Sequence, residues 1–370
     1  MDTVEKGKSK SSFVTGDLML DSVFSSKNIT RIGTWHVRTL QQTGRLAQLL
    51  QELDIYGLDI LGVSEVRWTG SGRLISDGKT VLFSGPERRH ERGVGIVLSK
   101  RAANSLVSWE PVSDRIITAR FRTRHTRVAI IQVYALTEDA TVEEKDDFYE
   151  RLQDTIDEIP RRDLKLVLGD FNAQVGGDRN IMEKSVGAFA SSDHLSNNGE
   201  RLVSFCDFND LCIANTFFFH RGIHKKTWRS PNSTTANEID HICINRKWRT
   251  SVHDACVYRG ADVGTDHYLV RATLKLKLKL QKRPVVRRPY DVEKFKNRTT
   301  ARNFCVQLRN RFSMLAECES IDEHWEAVKT ALCESAEVTI GRRRGKRKEQ
   351  FIYLFIYLSQ HTKEVDKQNM

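Results

Sequence analysis

Hydrophobic residues between about positions 32 and 280 repeat with helical and strand spacing in alternation. Leucines recur at i, i+3, i+4 and i+7 in one early stretch, at Leu46, Leu49, Leu50 and Leu53. This spacing predicts an amphipathic helix, and Thr43 stands where its hydroxyl group can cap the first turn.

Short apolar runs in the same region predict strands at Gly93–Leu98, Arg115–Phe121, Val128–Tyr134 and Leu166–Leu168. The sequence LKLKLKL at Leu274–Leu280 alternates strictly, which predicts a strand with leucines facing inward and lysines facing outward. Many strands with helices between them predict an α/β or α+β domain.

The pattern changes after residue 280. The segment KRPVVRRP at Lys282–Pro289 contains two prolines and four basic residues, which predicts a linker. Two helices are predicted after it, one from Phe304, Leu308 and Leu315 and a second from Trp325, Val328 and Leu332. The chain therefore divides into a disordered N-terminal segment (1–28), a main domain (29–280), a basic linker (281–290), a helical basic extension (291–350) and an atypical tail (351–370).

Charge is distributed unequally between these parts. The 59 Lys+Arg and 48 Asp+Glu residues give a net charge of +11, which favours a polyanionic partner, either nucleic acid or an anionic membrane. Residues 1–280 contain 40 basic and 36 acidic residues, whereas residues 281–370 contain 19 and 12. The run RRRGKRK begins with Arg342, Arg343 and Arg344, and it fits a nucleic-acid or nuclear-import patch and equally a solvated linker.

Composition excludes several classes of protein. A hydrophobic content of 39% with 29% charged residues is typical of a globular chain, not of a disordered or multi-spanning membrane protein. Seven cysteines form no CxxC pair, which indicates reduced thiols in a nuclear or cytoplasmic protein. Asp17 and Asp21 interrupt the N-terminal apolar stretch, so we expect no secretory signal, and FIYLFIYL at Phe351–Leu358 is too short to cross a membrane.

Four short segments place carboxylates or histidines at the ends of predicted strands. They are DILGVSE (Asp59–Glu65), GDFN (Gly169–Asn172), EIDH (Glu238–His241) and GTDH (Gly264–His267). Carboxylates that project from the carboxyl ends of strands form the oxygen-rich pocket that Mg²⁺ or Mn²⁺ prefers. An aspartate beside a histidine adds a group that can transfer and orient protons.

These segments, with TWHVRTL (Thr34–Leu40) and VYALT (Val133–Thr137), resemble the ordered motifs of the endonuclease/exonuclease/phosphatase superfamily, which has the DNase I-like fold. WTGSG (Trp68–Gly72) and KKTWRSPNS (Lys225–Ser233) are most similar to endonuclease domains of non-LTR retrotransposons and to the craniofacial development protein 2-like proteins. The resemblance covers about residues 29–280. It implies a four-layer sandwich of two packed β-sheets flanked by helices, followed here by a helical C-terminal extension.

The resemblance assigns metal binding and proton transfer to four residues. Glu65 matches the metal-binding glutamate, and Asp266, the site aspartate beside the catalytic histidine, is assigned to the metal as well. Asp170 matches the aspartate that orients or deprotonates the attacking water or helps protonate the leaving oxygen. His36 stands where the family has asparagine; its nitrogen suits Mn²⁺ or Zn²⁺ better than Mg²⁺, so either the site works with altered metal preference or this copy has decayed.

The remaining matches concern the phosphate. Tyr134 matches a phosphate-contacting tyrosine, and Asn172 matches the asparagine that holds the phosphate and the nucleophile. His267 matches the histidine beside the scissile phosphate, and Asp240 matches the carboxylate that orients it.

The resemblance implies a phosphodiesterase with Mg²⁺ (or Mn²⁺) as cofactor and DNA as partner, which nicks DNA and leaves a 3′-hydroxyl. Trp68 and Trp228 are candidates for stacking on bases, with burial in the core as the alternative. Segments typical of phosphoinositide phosphatases are missing, whereas RNA cleavage and a non-catalytic nucleic-acid-binding or interaction role stay open. No YADD- or FADD-type motif occurs, so no polymerase domain is expected, and the tail is either a misjoined reading frame or a short interaction segment.

Overall fold

The computed structural model describes residues 23–124, 126–176, 184–278, 288–312 and 321–343. The chain divides into two compact units, one ending at Lys279 and one beginning at Leu280, and each is described by itself. Predictions for residues 1–22, 281–287 and 344–370, and for Leu315, lie outside the described residues.

In its described residues the first unit contains fifteen strands: β1 (Thr30–His36), β2 (Ile60–Ser64), β3 (Ser71–Ser76), β4 (Lys79–Ser84), β5 (Val94–Leu98), β6 (Leu106–Pro111), β7 (Ile116–Arg122), β8 (Arg127–Tyr134), β9 (Leu164–Asp170), β10 (Leu211–Ile213), β11 (Trp228–Arg229), β12 (Ala236–Asn237), β13 (Asp240–Asn245), β14 (Val252–Tyr258) and β15 (Leu269–Leu274). Its α-helices in the same residues are α1 (Arg45–Ile55), α2 (Lys100–Ser105), α3 (Val142–Asp157) and α4 (Asn197–Phe208). Short 3-10 turns occur at Ala214–Phe217, Gly222–His224 and Arg246–Ser251.

Two large sheets form the centre of this unit. One has the strand order β14-β15-β1-β2-β5-β4-β3 and the other the order β10-β13-β9-β8-β7-β6, while β11 pairs with β12. Apolar side chains of both sheets, among them Ile60, Ile96, Ile130 and Leu166, pack into one core between them. Helix α1 covers the outer face of the first sheet, and α3 and α4 cover the outer face of the second. The predicted four-layer sandwich is therefore confirmed, and every residue of β2 and of β9 is buried because both faces of these central strands are covered.

Each sheet contains a parallel pair of strands, and these pairs position the site. β1 pairs with β2, and β8 pairs with β9 so that Tyr134 lies opposite Asp170. β13 runs antiparallel to β9 and begins with Asp240 opposite Asp170. β15 runs antiparallel to β1, so the segment before it, with His267, lies beside His36 at the end of β1. Residues from distant parts of the chain therefore meet at one end of the sandwich.

A buried polar connection joins the two sheets directly beneath this end. Gln132 on β8 is fully buried, its amide nitrogen donates to Ser64 Oγ on β2 at 2.9 Å, and its oxygen accepts from Thr34 Oγ1 on β1 at 3.4 Å. Ser64 Oγ donates in turn to the carbonyl of Val133 at 3.1 Å. A Cβ atom at Gly62 would lie 1.8 Å from the Gln132 side-chain oxygen, so only glycine leaves room for this contact.

Two local predictions are wrong in detail. Helix α1 is not capped by Thr43, because Gly44 occupies the N-cap position in a left-handed conformation and no side chain caps the turn. The strand predicted at Leu274–Leu280 does not form in its described residues after Leu274, because β15 ends there, opposite the first residues of its neighbours β1 and β14. Burial still alternates as far as Leu276, whose backbone N–H donates to the carbonyl of Ser25.

The ordered first unit begins earlier than predicted. Val23 and Phe24, placed by sequence in a disordered segment, are buried in the core between the sheets. The Phe24 ring packs edge-on against Phe121 with centroids 5.8 Å apart. Apolar side chains with partners in the core explain why this stretch is ordered.

The second unit is helical in its described residues. It consists of a 3-10 turn (Val292–Lys296), α5 (Arg298–Phe312) and α6 (Ile321–Thr339). The helix predicted from Trp325, Val328 and Leu332 forms as α6, but Trp325 and Leu332 are 64% and 40% exposed, while small residues such as Ala331 and Ala336 are buried. No helix in the described parts of either unit is long and apolar enough to span a membrane.

Replacing Gln132 with alanine is expected to lower the free energy of unfolding by about 1–3 kcal/mol, because buried polar groups on the facing strands lose their partner. Urea denaturation measures this change. The matched control is Gln51→Ala on the exposed face of α1, which should stay within about 0.5 kcal/mol of the wild type. Equal stability of the two variants would show that the connection between the sheets contributes nothing.

Candidate functional site

A cavity of about 750 Å³ opens at the end of the sandwich where β1, β2, β8 and β9 finish. Most of the site residues predicted in the first unit line it: His36, Glu65, Tyr134, Asp170, Asn172, Trp228, Asp266 and His267. Asp240 is buried directly behind His267. The motifs spread along the sequence therefore form one pocket.

His36 lies between the two central carboxylates of this pocket. Its Nε2 is 2.7 Å from Glu65 Oε2, and its Nδ1 is 2.8 Å from Asp170 Oδ2. Burial alone would lower the pKa of His36, but the hydrogen bonds to Asp170 and Glu65 outweigh burial and raise the pKa to about 10. The ring is therefore an imidazolium at neutral pH in the metal-free protein, where it neutralises part of the carboxylate charge.

The pKa values of the two carboxylates shift in the opposite direction to that of His36. Burial favours a raised pKa for Glu65 and for Asp170, yet the hydrogen bonds from His36 dominate and hold both pKa values below their usual range. The neighbouring His267 lowers the pKa of Asp170 further, and Arg67 lowers that of Glu65. Both side chains are consequently ionised at neutral pH.

Glu65 has two further partners. The guanidinium of Arg67 donates to Glu65 Oε1 through Nε at 2.8 Å and through a second nitrogen, and the Tyr134 hydroxyl donates to Glu65 Oε2 at 3.2 Å. Burial and the negative charges of Glu65 and Asp170 raise the pKa of Tyr134, so its hydroxyl stays a neutral donor.

His267 and Asp240 form a buried pair. His267 Nδ1 lies 2.9 Å from Asp240 Oδ2, and the Trp35 indole donates to the carbonyl oxygen of His267 at 3.0 Å. The His267 ring stacks on the His36 ring, with centroids 4.2 Å apart and an interplanar angle of 10°. Because Nδ1 is engaged by Asp240, Nε2 is the ring nitrogen available to the pocket.

Backbone strain concentrates at the rim of the same pocket. Non-glycine residues with positive φ angles include Arg38 (61°), Glu65 (60°), Arg67 (57°) and Asn172 (49°), and all four line the cavity. Asn172 is held by its backbone N–H, which donates to Asp170 Oδ1 at 2.9 Å, and by its side-chain amide. Such conformations cost roughly 1–3 kcal/mol each and cluster at functional sites.

Asp266 lines the pocket beside Trp228, and metal binding by this residue stays a prediction. Its Oδ2 accepts a hydrogen bond from the Trp228 indole at 3.1 Å, and its Oδ1 lies 3.9 Å from Arg38 Nε. Trp228 is thus held at the pocket wall. Trp68 does not line the pocket but packs edge-on against Phe83 in the outer core, with centroids 5.1 Å apart.

The possible metal-ligating side chains of the pocket fit a divalent cation that accepts both nitrogen and oxygen ligands. Ligand atoms of His36, Asp170 and His267 lie within 4.8 Å of one another, and Glu65 adjoins His36. Imidazole nitrogens suit Mn²⁺ better than Mg²⁺, which prefers an all-oxygen shell. His36 must lose its proton before it can ligate a metal, so metal and imidazolium compete for the same two carboxylates.

Sequence reasoning missed three arginines of the site. Arg38 and Arg67 line the pocket, and Arg115 lies over the Tyr134 ring at 5.0 Å and donates to the Tyr134 carbonyl at 2.9 Å. Arg38 and Arg67 each follow a predicted site residue at a strand end by two positions, a signal that was available in the sequence.

In the second unit, the Arg342 guanidinium lies 4.4 Å from the centre of the Tyr290 ring and donates to the carbonyl of Arg288 at 2.7 Å. Tyr290, predicted to be part of the linker, thus belongs to the helical unit. Arg343 lies 3.9 Å from Glu293, and Arg344 lies outside the described residues. Nucleic-acid binding by these arginines stays a prediction.

Comparisons with known proteins agree with this architecture. The profile of the Endonuclease/Exonuclease/phosphatase family matches residues 28–267. Craniofacial development protein 2 of Tragulus javanicus is 37% identical over 260 residues, a stretch that covers 70% of this chain and 44% of that protein. The chain therefore spans less than half the length of this relative.

Solved structures share the fold at low sequence identity. The endonuclease domain of TRAS1, a telomere-specific non-LTR retrotransposon, has a TM-score of 0.50 at 13% identity and covers 68% of this chain and 100% of its own. The AP endonuclease LMAP from Leishmania major has a TM-score of 0.52 at 13% identity and covers 72% of this chain and 93% of its own. Because the family profile matches well over half of the sequence, this chain belongs to the endonuclease/exonuclease/phosphatase family.

Proposed function

We propose that the protein is a divalent-metal-dependent phosphodiesterase that nicks DNA and leaves a 3′-hydroxyl, acting in the nucleus or the cytoplasm. The observation that carries the proposal is the convergence of Glu65, Asp170 and the Asp240–His267 pair in one pocket. Carboxylates, an oriented histidine and neutral donors are the groups that phosphodiester hydrolysis requires. Endonucleases among the solved structures of the same fold support the choice of substrate.

Each residue has a role set by its charge and its partners. Asp170, ionised at neutral pH, accepts a proton from the attacking water. His267, held through Nδ1 by Asp240, presents Nε2 to the phosphoryl group, and in its protonated form the ring donates a hydrogen bond there as negative charge develops. The neutral Tyr134 hydroxyl and the Asn172 amide line the same wall and position the phosphate.

Glu65 and His36 would hold the divalent cation, with Asp170 adjoining them. When bound, the cation supplies positive charge for the phosphoryl oxygens and the leaving oxygen. The arginines at the rim, Arg38 and Arg67, add positive charge that attracts the phosphate backbone.

A second candidate is a catalytically impaired nucleic-acid-binding protein. The observation that favours it is that both ring nitrogens of His36 contact the carboxylates that would otherwise face a metal ion. In this state the site keeps its cationic rim but has its acidic centre neutralised.

Asp170→Ala is expected to reduce nicking of supercoiled plasmid by about 10²–10⁴-fold, because the proton acceptor is lost. The assay is run with Mg²⁺ and separately with Mn²⁺, and direct extension of the nicks by a polymerase tests for 3′-hydroxyl ends. Asp157→Ala, at an exposed position at the end of α3, is the matched control and should nick like the wild type. Equal activity of both variants would exclude Asp170 from catalysis, and preferential cleavage of an RNA strand would replace DNA as the substrate.

His36→Asn is expected to raise nicking with Mg²⁺ and to lower the ratio of Mn²⁺-supported to Mg²⁺-supported activity. Asparagine is uncharged, so Glu65 and Asp170 lose their imidazolium partner and the metal no longer competes with it. His253→Asn, at an exposed position on β14, is the control and should leave the metal preference unchanged. If neither the wild type nor His36→Asn nicks with either metal, the enzyme proposal fails, and DNA retention in a gel-shift assay would then favour the binding protein.

A further inference from the structure

A second group of metal-ligating side chains lies in the first unit outside the pocket. His220 Nε2 is 2.7 Å from Asp254 Oδ1, and Cys256 Sγ is 3.7 Å from Asp254 Oδ2. One ligand atom from each of the three residues lies within 4.8 Å of the other two, and all three side chains are partly buried. None of the three lines the cavity at the strand ends.

The fold explains why these residues meet. Asp254 and Cys256 are two positions apart on β14, the outermost strand of its sheet, so both side chains project from the same face. His220 lies between the two short turns Ala214–Phe217 and Gly222–His224, and both of these turns contact β14. The next histidine of that segment, His224, contacts the carbonyl of Val257 on β14 with its Nδ1 at 3.3 Å.

The Cys256 thiol has a second polar neighbour besides Asp254, because it shares a hydrogen bond with the Tyr258 hydroxyl that metal binding would break. Arg271, opposite Cys256 on β15, directs its guanidinium to the Tyr258 hydroxyl and to the carbonyl of Tyr56. Burial raises the pKa of the Cys256 thiol, so a bound metal ion would displace its proton, as in other thiolate sites.

The donor set selects the class of metal. Tetrahedral zinc with bond lengths of about 2.0–2.3 Å separates its ligand atoms by about 3.3–3.6 Å. The Cys256–Asp254 separation of 3.7 Å lies close to this range, whereas the His220–Asp254 separation of 2.7 Å is a hydrogen bond that has to open before an ion can enter. A thiolate disfavours Mg²⁺ and Ca²⁺ and favours Zn²⁺. We propose that His220, Asp254 and Cys256 bind one Zn²⁺ ion, with water as the fourth ligand.

The site has a structural consequence for the pocket. The segment fixed at His220 continues to Thr227, whose Oγ1 accepts hydrogen bonds from the backbone N–H groups of Ile239 and Asp240, and then to Trp228. Zinc would therefore clamp to the sheet edge the segment that supports one wall of the cavity. The inference concerns metal binding and does not depend on nuclease activity.

Titration of the reduced, chelator-treated full chain with Co²⁺ tests the proposal. One equivalent of Co²⁺ is expected to produce a thiolate-to-cobalt absorption band in the near ultraviolet, which Zn²⁺ then abolishes by displacement. Among the described residues, no cysteine lines the cavity at the strand ends, so Co²⁺ bound in that cavity gives no such band. Absence of the band in the wild type overturns the proposal.

Variants locate the site. Cys256→Ser is expected to lose the band and His220→Gln to lose stoichiometric binding, whereas Cys305→Ser, which removes an exposed thiol of the second unit, should keep both. Zinc should also raise the Tm of the wild type and of Cys305→Ser by more than that of Cys256→Ser, in which only the pocket at the strand ends can still bind the ion. A band that survives in Cys256→Ser overturns the proposal; if that variant does not fold by circular dichroism, His220→Gln decides in its place.

Discussion

The buried hydrogen bonds of Gln132 are the constraint on which the site depends. Apolar packing between two sheets is non-directional and tolerates small slippage, whereas an unpaired buried amide costs about 1–3 kcal/mol. Contacts to Thr34 on β1 and to Ser64 on β2 therefore fix the position of β8 relative to the opposite sheet. With that position fixed, the parallel pairs β1–β2 and β8–β9 end side by side, and the residues that follow them share one pocket.

Electrostatics then decides the state of that pocket. Glu65 and Asp170 would repel each other in a poorly solvated site without a cation between them, and His36 supplies this cation within the chain itself. The arrangement satisfies the buried charges with the same carboxylate oxygens that a metal ion would use. A single side chain thereby links the stability of the metal-free protein to the affinity of the site for metal.

Much of this arrangement could be predicted from sequence because it is local. Apolar periodicity identified the central strands, and short motifs identified Glu65, Asp170 and His267 at strand ends. The end of β15 at Leu274 could not be predicted, since it depends on where two neighbouring strands stop, while the leucine-lysine alternation continues beyond them. The grouping of His220 with Cys256 depends on a segment that returns to the sheet edge, and no spacing in the sequence encodes that return.

The left-handed residues around the cavity carry a consequence for how the sequence can change. Glycine at Arg38 or Arg67 would relax the backbone, yet it would also remove a guanidinium from beside Asp266 or Glu65. Directed evolution for thermal tolerance alone would therefore favour replacements that remove positive charge from the rim of the pocket. A library screened for both heat resistance and phosphate binding should keep arginine at these positions. Retention of the two arginines would therefore show that the screen selected for phosphate binding as well as for stability.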